Sequence, residues 1–354
     1  LTLPFPADLK NLRQEELIEF VKDLSLPAYR GRQIFSWLYR RKATSFDEMT
    51  DLPKELRKVL AEQSTISSLV PIKILRSKDN TCKMAFRLED GALIESVLIP
   101  EENRYTLCLS SQVGCAMGCT FCQTARIGFK RNLTTAEIIN QVLAAEKFLS
   151  ERDEPPLSNL VFMGMGEPLA NFDNLVRSID ILEDQRGLDF SKRKITVSTC
   201  GLLPKMQLLG KHTKINLAVS LHAATDTVRN SLMPINRTYP LDRLLQAMRD
   251  YPLARRKRIM IEYILLADIN DSLEDARLLA KILRGLRCKI NLLPYNQTGD
   301  KKFKRPSQER IDQFQQILWE AGYTVIMRSS RGDDIGAACG QLAGRLEEGE
   351  KSPS

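Results

Sequence analysis

The chain has 354 residues, with 52 Lys and Arg against 44 Asp and Glu, a net charge of +8 and 43% hydrophobic residues. That composition excludes disordered, collagen-like and fibrous chains, and the length suits one large domain or two smaller ones. No apolar run approaches the roughly 18 residues of a membrane span, and the opening LTLPFPADLK lacks a basic stretch followed by an apolar one, so a soluble, cytoplasmic protein is expected. The basic surplus is compatible with a polyanionic partner but identifies none. Residues 1–95 carry 16 basic and 14 acidic side chains. Most of the surplus therefore lies farther along, and a polyanion-binding surface has to be assembled by folding.

Residues 1–64 read as an N-terminal helical domain. Leu9, Leu12, Leu17, Ile18, Val21 and Leu24, then Ile34, Phe35, Trp37 and Leu38, recur at helical spacing, with turn signals at Pro27 and Gly31 and a third helix beginning at Pro53. Over 65–100, the runs VPIKILRS, CKMAFRLE and ALIESVLIP, joined by SKDN and EDG, predict a small antiparallel β meander that ends near Pro100. From 101 to 345, strands alternate with helices. The spacing predicts strands at 105–111, 159–163, 193–199, 215–221, 258–266 and 288–294, and helices near 134–150, 173–184, 203–209, 241–250, 272–284 and 307–321. A last strand is expected at 323–328, and residues 346–354 read as a polar tail. Thr134 and Glu137 have capping-box spacing. This α/β pattern predicts a parallel sheet, either open and doubly wound or curled into a (βα)6 barrel. In both, functional groups gather at the C-terminal ends of the strands.

The first such end carries GCAMGCTFCQTA, with Cys115, Cys119 and Cys122 in a C-x3-C-x2-C arrangement. A structural zinc site takes four ligands, commonly as two pairs, whereas this segment offers three thiolates and no nearby His. Three thiolates around an iron–sulfur cubane leave one iron open for a substrate. A zinc loop completed by a distant ligand such as Cys108 is the alternative. With Phe121 before the third cysteine, the segment resembles the signature of the radical S-adenosylmethionine (SAM) superfamily, whose core is a partial (βα)6 barrel. The resemblance implies a 4Fe–4S cluster whose open iron chelates the amino and carboxylate groups of SAM and whose reduced form splits off a 5′-deoxyadenosyl radical.

Other strand ends carry polar groups. In GMGEP, Gly166 permits close backbone approach and Glu167 can accept hydrogen bonds from an ammonium group. Ser198-Thr199, Ser220-Leu221-His222 and Pro294-Tyr295-Asn296 end three further strands. Taken singly, each is ordinary turn chemistry or a structural histidine. Their convergence on the rim that carries the cysteine loop marks them as candidates. Near the C-terminus, RGDDIGAACGQLAG sets Cys339 among small residues, which suits either a small buried hydrophobe or a mobile loop delivering a thiol. Cys108, seven residues before the cluster motif, can point into the same cavity. Two thiols flanking a radical centre suggest covalent catalysis closed by a disulfide.

In combination, TLCLSSQVGC, FMGMGEPLAN, SLHA, MPINRTYP, CKINLLPYN and RGDDIGAACGQL resemble the RlmN/Cfr family of RNA adenine methyltransferases over nearly the whole chain. The resemblance implies that Cys115, Cys119 and Cys122 hold the cluster, and that Gly166, Glu167, Ser198, Ser220, Leu221, His222 and Asn296 contact SAM. It further implies that Cys339 takes a methyl group from one SAM, and that a second SAM supplies the radical that activates this S-methyl group for addition to adenine. Such a detour suits an electrophilic amidine carbon, which cannot itself attack the SAM methyl. Glu95 matches the base, and Cys108 the thiol that releases the product by a disulfide with Cys339. Pro168, Arg331 and Asp333 resemble the branch that methylates adenine C2 in 23S rRNA and tRNA, although the C8 branch shares most motifs. Gly336, where many relatives carry an acidic residue, and Cys200 depart from the pattern: the first can loosen the Cys339 loop, and the second adds a possible off-pathway thiol.

RNA binding is expected from cations on phosphates, with the target base unstacked into the barrel mouth. The candidates are Arg126, Lys130, Arg131, Lys301, Lys302, Lys304 and Arg305, with Arg40-Arg41-Lys42 and Arg255-Arg256-Lys257-Arg258 as further basic runs. The implied partners are 23S rRNA, tRNA and an electron donor such as flavodoxin or ferredoxin, with no membrane, and the chain is expected to be a monomer. Two other classes of function stay open at this level. One is a radical SAM enzyme acting on a small molecule or protein, with no role for Cys339. The other is a non-catalytic RNA-binding module stabilised by zinc.

Overall fold

The structure is a computed structural model that describes residues 6–296 and 302–344. Lys301 and the tail at 346–354 lie outside the described residues. Helices α1 (Gln14–Asp23), α2 (Tyr29–Tyr39) and α3 (Lys54–Gln63) form the N-terminal bundle. Leu17, Val21, Ile34, Leu38 and Leu60, the residues of the apolar stripes, are fully buried in it. Polar contacts weld this bundle to the rest. The buried Lys10 donates to the Ser67 carbonyl at 2.8 Å and to Asn140 Oδ1 at 3.0 Å, and burial lowers its pKa to about 8. Arg13 pairs with Asp180 at 3.1 Å.

The remaining chain builds one ten-stranded sheet: β1 (Pro71–Arg76), β2 (Cys82–Arg87), β3 (Leu93–Glu101), β4 (Arg104–Cys108), β5 (Leu157–Phe162), β6 (Ile195–Thr199), β7 (Asn216–Ser220), β8 (Ile259–Leu265), β9 (Cys288–Pro294) and β10 (Val325–Met327). Spatial order follows chain order throughout. Strands β1 to β4 pair antiparallel, and every later neighbour pairs parallel. A doubly wound sheet reverses its order at a switch point. This one does not, so the winding is of the barrel type, and β10 pairs only with β9 among the described residues, which leaves the barrel partial. The break expected near Pro100 falls inside β3, where Pro100 pairs with Tyr105 of β4. The meander thus extends the barrel sheet across an unbroken ladder.

The crossover helices are α4 (Thr135–Ser150), α5 (Phe172–Glu183), α6 (Leu203–His212), α7 (Leu241–Arg249), α8 (Leu273–Ile282) and α9 (Gln308–Glu320). At the start of α4, Thr134 Oγ1 accepts the Glu137 N–H at 3.1 Å, and the Glu137 carboxylate accepts the Thr134 N–H at 2.8 Å. Periodicity missed the short helix Asp226–Leu232 and the 3-10 turn Pro234–Arg237 between β7 and α7, because neither is long enough to display a period. Among the described residues no helix is long and apolar enough to cross a membrane.

Candidate active site

The chain leaves β4 and turns through Gly114 at φ +74°, where a Cβ would lie 1.7 Å from the Gly128 carbonyl oxygen. Only glycine fits there. The turn lets Cys115 N–H donate to that oxygen at 3.2 Å and closes the cysteine loop. Cys115, Cys119 and Cys122 all line one cavity of about 170 Å³ at the C-terminal ends of the strands. Burial pushes each thiol up, Cys115 to about 12, and neighbouring thiols add to the shift for Cys115 and Cys119. Three crowded thiols, of which Cys119 alone feels the charge of Arg229, are suited to deprotonation by a metal group. Among the described residues, no three His, Cys, Asp or Glu side chains gather tightly enough to chelate a single ion. Three thiols in one cavity suit a cubane with one open iron, whereas a structural zinc site takes four ligands.

Opposite the cysteines, Gly166 sits at φ +101°, pressed so closely on Gln112 that a Cβ would lie 2.8 Å from its backbone nitrogen. Glu167 is buried; its Oε1 accepts the Leu169 N–H at 3.0 Å and its Oε2 the Cys200 N–H at 2.8 Å. Burial raises its pKa, hydrogen bonds only partly offset the shift, and among the described residues no ion pair compensates it. A buried carboxylate without a cation fits the ammonium group of SAM. Ser198, Ser220 and His222 line the same cavity. His222 stands at φ +58°, a strained position for a non-glycine residue. Its Nδ1 accepts the Ile264 N–H at 3.0 Å, and the Phe121 ring meets it edge-on at 5.0 Å. Burial, then the nearby Arg229 charge, lower its pKa to about 3, so a neutral ring presents Nε2–H. The donor set thus fits a cluster carrying SAM.

Two expected SAM contacts sit differently. Leu221 is buried away from the cavity lining, and its backbone bonds to Glu262 and Arg229. Asn296 lines an adjoining cavity of about 80 Å³, together with Cys108 and Cys339, and accepts a hydrogen bond from Ser330. Cys339 lines both cavities. Its loop is docked on the cysteine loop: Gln123 N–H donates to the Gly340 carbonyl at 2.7 Å, and the Thr124 hydroxyl donates to the Leu342 carbonyl at 2.7 Å. Cys339 is exposed and Cys108 is buried, with its thiol pushed up to about 12 by burial and by Cys339. All eight cysteines are free thiols, so the disulfide expected between Cys108 and Cys339 is not present.

Glu95 lines neither cavity. Its Oε2 accepts N–H bonds from Ala343 and Gly344 at 2.8 and 3.0 Å, and Lys83 lies 3.3 Å from its Oε1. In this arrangement Glu95 is a latch for the Cys339 loop. Arg131 is spent in a similar way: it pairs with Asp90 at 2.7 Å and with both oxygens of Glu137 at 2.8 Å, which removes it from phosphate binding. Lys130, Lys302, Lys304, Arg305 and Arg126 are exposed. Cys200 lines the SAM-side cavity, but burial and Glu167 push its thiol well above the usual range, so it is protonated and inert.

Three site residues escaped the sequence reading. Arg229, fully buried, donates to the carbonyls of Leu221, Cys200 and Ser220 at 3.1, 2.8 and 3.2 Å and to Asn236 at 2.8 Å, which ties two strand ends together. Arg328 lines both cavities, as does Cys339, and its charge opposes the upward shift that burial imposes on Glu262 and Cys108. Glu262 takes the Asn291 amide on Oε2 at 2.9 Å, while its buried Oε1 has no donor among the described residues and is open to a ligand hydroxyl or amine. The only local signal for Glu262 is its inward alternation with Met260 and Ile264 on β8.

Residues 109–280 match the radical SAM superfamily model, and residues 7–66 match that of the ribosomal RNA large subunit methyltransferase N-terminal domain. The chain is 55% identical over 342 residues to the dual-specificity RNA methyltransferase RlmN of Desulfotalea psychrophila, covering 95% of this chain and 94% of that one. It is 54% identical to the RlmN of Geobacter sulfurreducens over 96% of this chain and 93% of that one. A crystal structure of a radical SAM methyltransferase from Sphaerobacter thermophilus, 45% identical, superposes with a TM-score of 0.90 over 96% of this chain and all of that one. The chain belongs to the RlmN family of dual-specificity RNA methyltransferases, within the radical SAM superfamily.

Proposed function

We propose that the chain methylates adenine C2 in 23S rRNA, at the peptidyl-transferase centre, and in tRNA, next to the anticodon, through an S-methylated Cys339. The observation that carries this reading is the docking of the Cys339 loop on the cysteine loop, which leaves one exposed thiol facing both cavities. Cys115, Cys119 and Cys122 would hold a 4Fe–4S cluster, which with SAM supplies one-electron cleavage to a hydrogen-abstracting radical. Glu167 receives the SAM ammonium group, and Ser198, Ser220 and the neutral His222 border the rest of the ligand. Leu221 contributes through its backbone, and Asn296 acts from the side of the two thiols. Cys339, which lines both cavities with Arg328, accepts the methyl group on Sγ and carries its carbon to the adenine. After loss of the C2 proton, Cys108 attacks Cys339 Sγ; the Sγ–methylene bond breaks, its electron pair takes a proton to give the C2 methyl, and the one surplus electron of the adduct would return from the new disulfide to the cluster. Glu95 serves as the base for the adenine C2 proton once Ala343 and Gly344 leave its Oε2.

Arg126, Lys130, Lys301, Lys302, Lys304 and Arg305 hold the RNA over the mouth. The enzyme works in the cytoplasm as a monomer and takes electrons from a flavodoxin or ferredoxin. Anaerobic reconstitution with iron, sulfide, SAM and a reductant, followed by mass spectrometry of RNA nucleosides and of the Cys339 peptide, tests the reading. It expects 2-methyladenosine and S-methylated Cys339. An 8-methyladenosine product, or neither modification, sinks it.

A further inference from the structure

The cavity that carries the cysteines is not the most spacious in the molecule. A groove of about 1010 Å³ opens at the other end of the barrel, at the N-terminal ends of β4 to β9. Arg255, Arg256, Lys257 and Arg258 reach it from the turn before β8, Arg193 and Lys194 from the turn before β6, and Lys289 from the start of β9. No acidic residue lines it. Among the described residues, none of these seven cations has a carboxylate within 4 Å, and the side chains of Arg193, Arg255 and Arg256 are exposed and make no hydrogen bond. The crowding shows at Lys257: burial, then Arg193 and Lys192, lower its pKa, and Glu183 offsets the shift only in part. Folding has thus concentrated positive charge in a concave surface without providing the anions to neutralise it. Such a surface attracts polyanions.

The lining says which part of a polyanion would be held. Thr106, Val161, Thr196, Leu217 and Met260 form the floor, and the lining contains no aromatic residue. Base recognition in single-stranded RNA relies on aromatic stacking, so the groove suits phosphates and not bases. It lies a full strand away from the SAM-side cavity. The seven residues of β8 (Ile259–Leu265) separate the two ends by roughly 20 Å at 3.3 Å per residue. Because the groove and the mouth face opposite ways, a strand passing from one to the other has to run around the outside of the barrel, a path longer than this separation. The adenine in the mouth and a phosphate in this groove therefore belong to different parts of one RNA.

We infer that this basic groove at the closed-off end of the barrel is a second RNA-holding surface, which takes the phosphodiester backbone of the substrate at a distance from the target adenosine. The inference rests on the proposed RNA substrate and deepens it. A large folded RNA reaches both surfaces, whereas a short stem–loop that carries the target adenosine reaches only the mouth.

The test is the triple variant Arg193→Gln, Arg255→Gln, Arg256→Gln in the reconstituted holoenzyme, with binding measured across a salt series. The three side chains support no other contact, so the fold is retained. Loss of three phosphate contacts lowers the slope of log affinity against log salt by about two to three for full-length tRNA, on the order of 100-fold weaker binding at 0.15 M salt. An isolated anticodon stem–loop should bind wild type and variant alike, and Cys339 should still be methylated from SAM. Equal slopes for full-length tRNA on both proteins overturn the inference. So does a groove that binds inorganic tripolyphosphate tightly while the tRNA slope stays unchanged, since it would then serve a free polyphosphate. Loss of stem–loop binding in step with tRNA binding also overturns it, because the effect would lie at the mouth. Absence of methyladenosine from the wild-type product is a separate result that overturns only the proposed activity.

Discussion

His222 is neutral in the folded protein because it is buried and because Nδ1 is occupied by the Ile264 N–H, and this has a measurable cost in acid. Its pKa is about 3 when folded and about 6.5 when unfolded. With the native value depressed, the unfolded chain takes up the proton first. The stabilisation is complete above pH 6.5, falls as the pH drops, and is fully lost once the pH passes below the folded value. At pH 5 the loss through this single group is about 2 kcal/mol, from about 1.4 kcal/mol for each of the 1.5 units below 6.5. The His222→Asn variant removes the proton site while keeping a residue that tolerates φ +58°. Urea unfolding of both proteins at pH 7 and pH 5, followed by circular dichroism, isolates the effect, since the other titrating groups are common to both. The stability difference between wild type and variant should narrow by about 2 kcal/mol on going to pH 5. Parallel pH profiles would refute the burial argument and with it the neutral Nε2–H donor.

The remaining predictions concern the groups that position the site. Glu95→Gln leaves Lys83 buried without its ion pair, which costs about 3–5 kcal/mol; iodoacetamide should then alkylate Cys339 faster as its loop loosens, and an unchanged rate would remove the latch. Lys83→Met combined with Glu95→Gln should recover stability without restoring the slow alkylation rate. Arg229→Met withdraws the donors from three strand-end carbonyls and Asn236, for about 1–3 kcal/mol for each acceptor left unsatisfied, read by urea unfolding, and should weaken SAM in a calorimetric titration; retained SAM affinity would show that Arg229 serves the fold alone. Cys200→Ser should leave methylation rate and product unchanged, because the thiol it replaces is protonated; a changed rate would make Cys200 part of the chemistry.

What could be read from the sequence depended on local spacing. The apolar stripes of α1 and α2, the Thr134–Glu137 cap, the three-cysteine loop and the glycines of GMGEP are each set by residues a few positions apart, where backbone periodicity and sterics act directly. The same holds for the cysteine chemistry, since the type and spacing of three thiolates limit the metal group before any fold is known. The tertiary structure decided what depends on distant partners. It selected the barrel over the doubly wound sheet, because strand order is a property of pairing and not of periodicity. It turned Glu95 into a latch through amides 248 and 249 residues away, and it neutralised Arg131 through Asp90, 41 residues away. It also divided the +8 surplus seen at the outset. One set of cations stands near the mouth and another in a groove at the far end, because adjacent parallel strands bring Arg193, Arg258 and Lys289 onto one surface. Side-chain charge is written in the sequence, but electrostatic potential depends on distance, and distance exists only once the chain has folded.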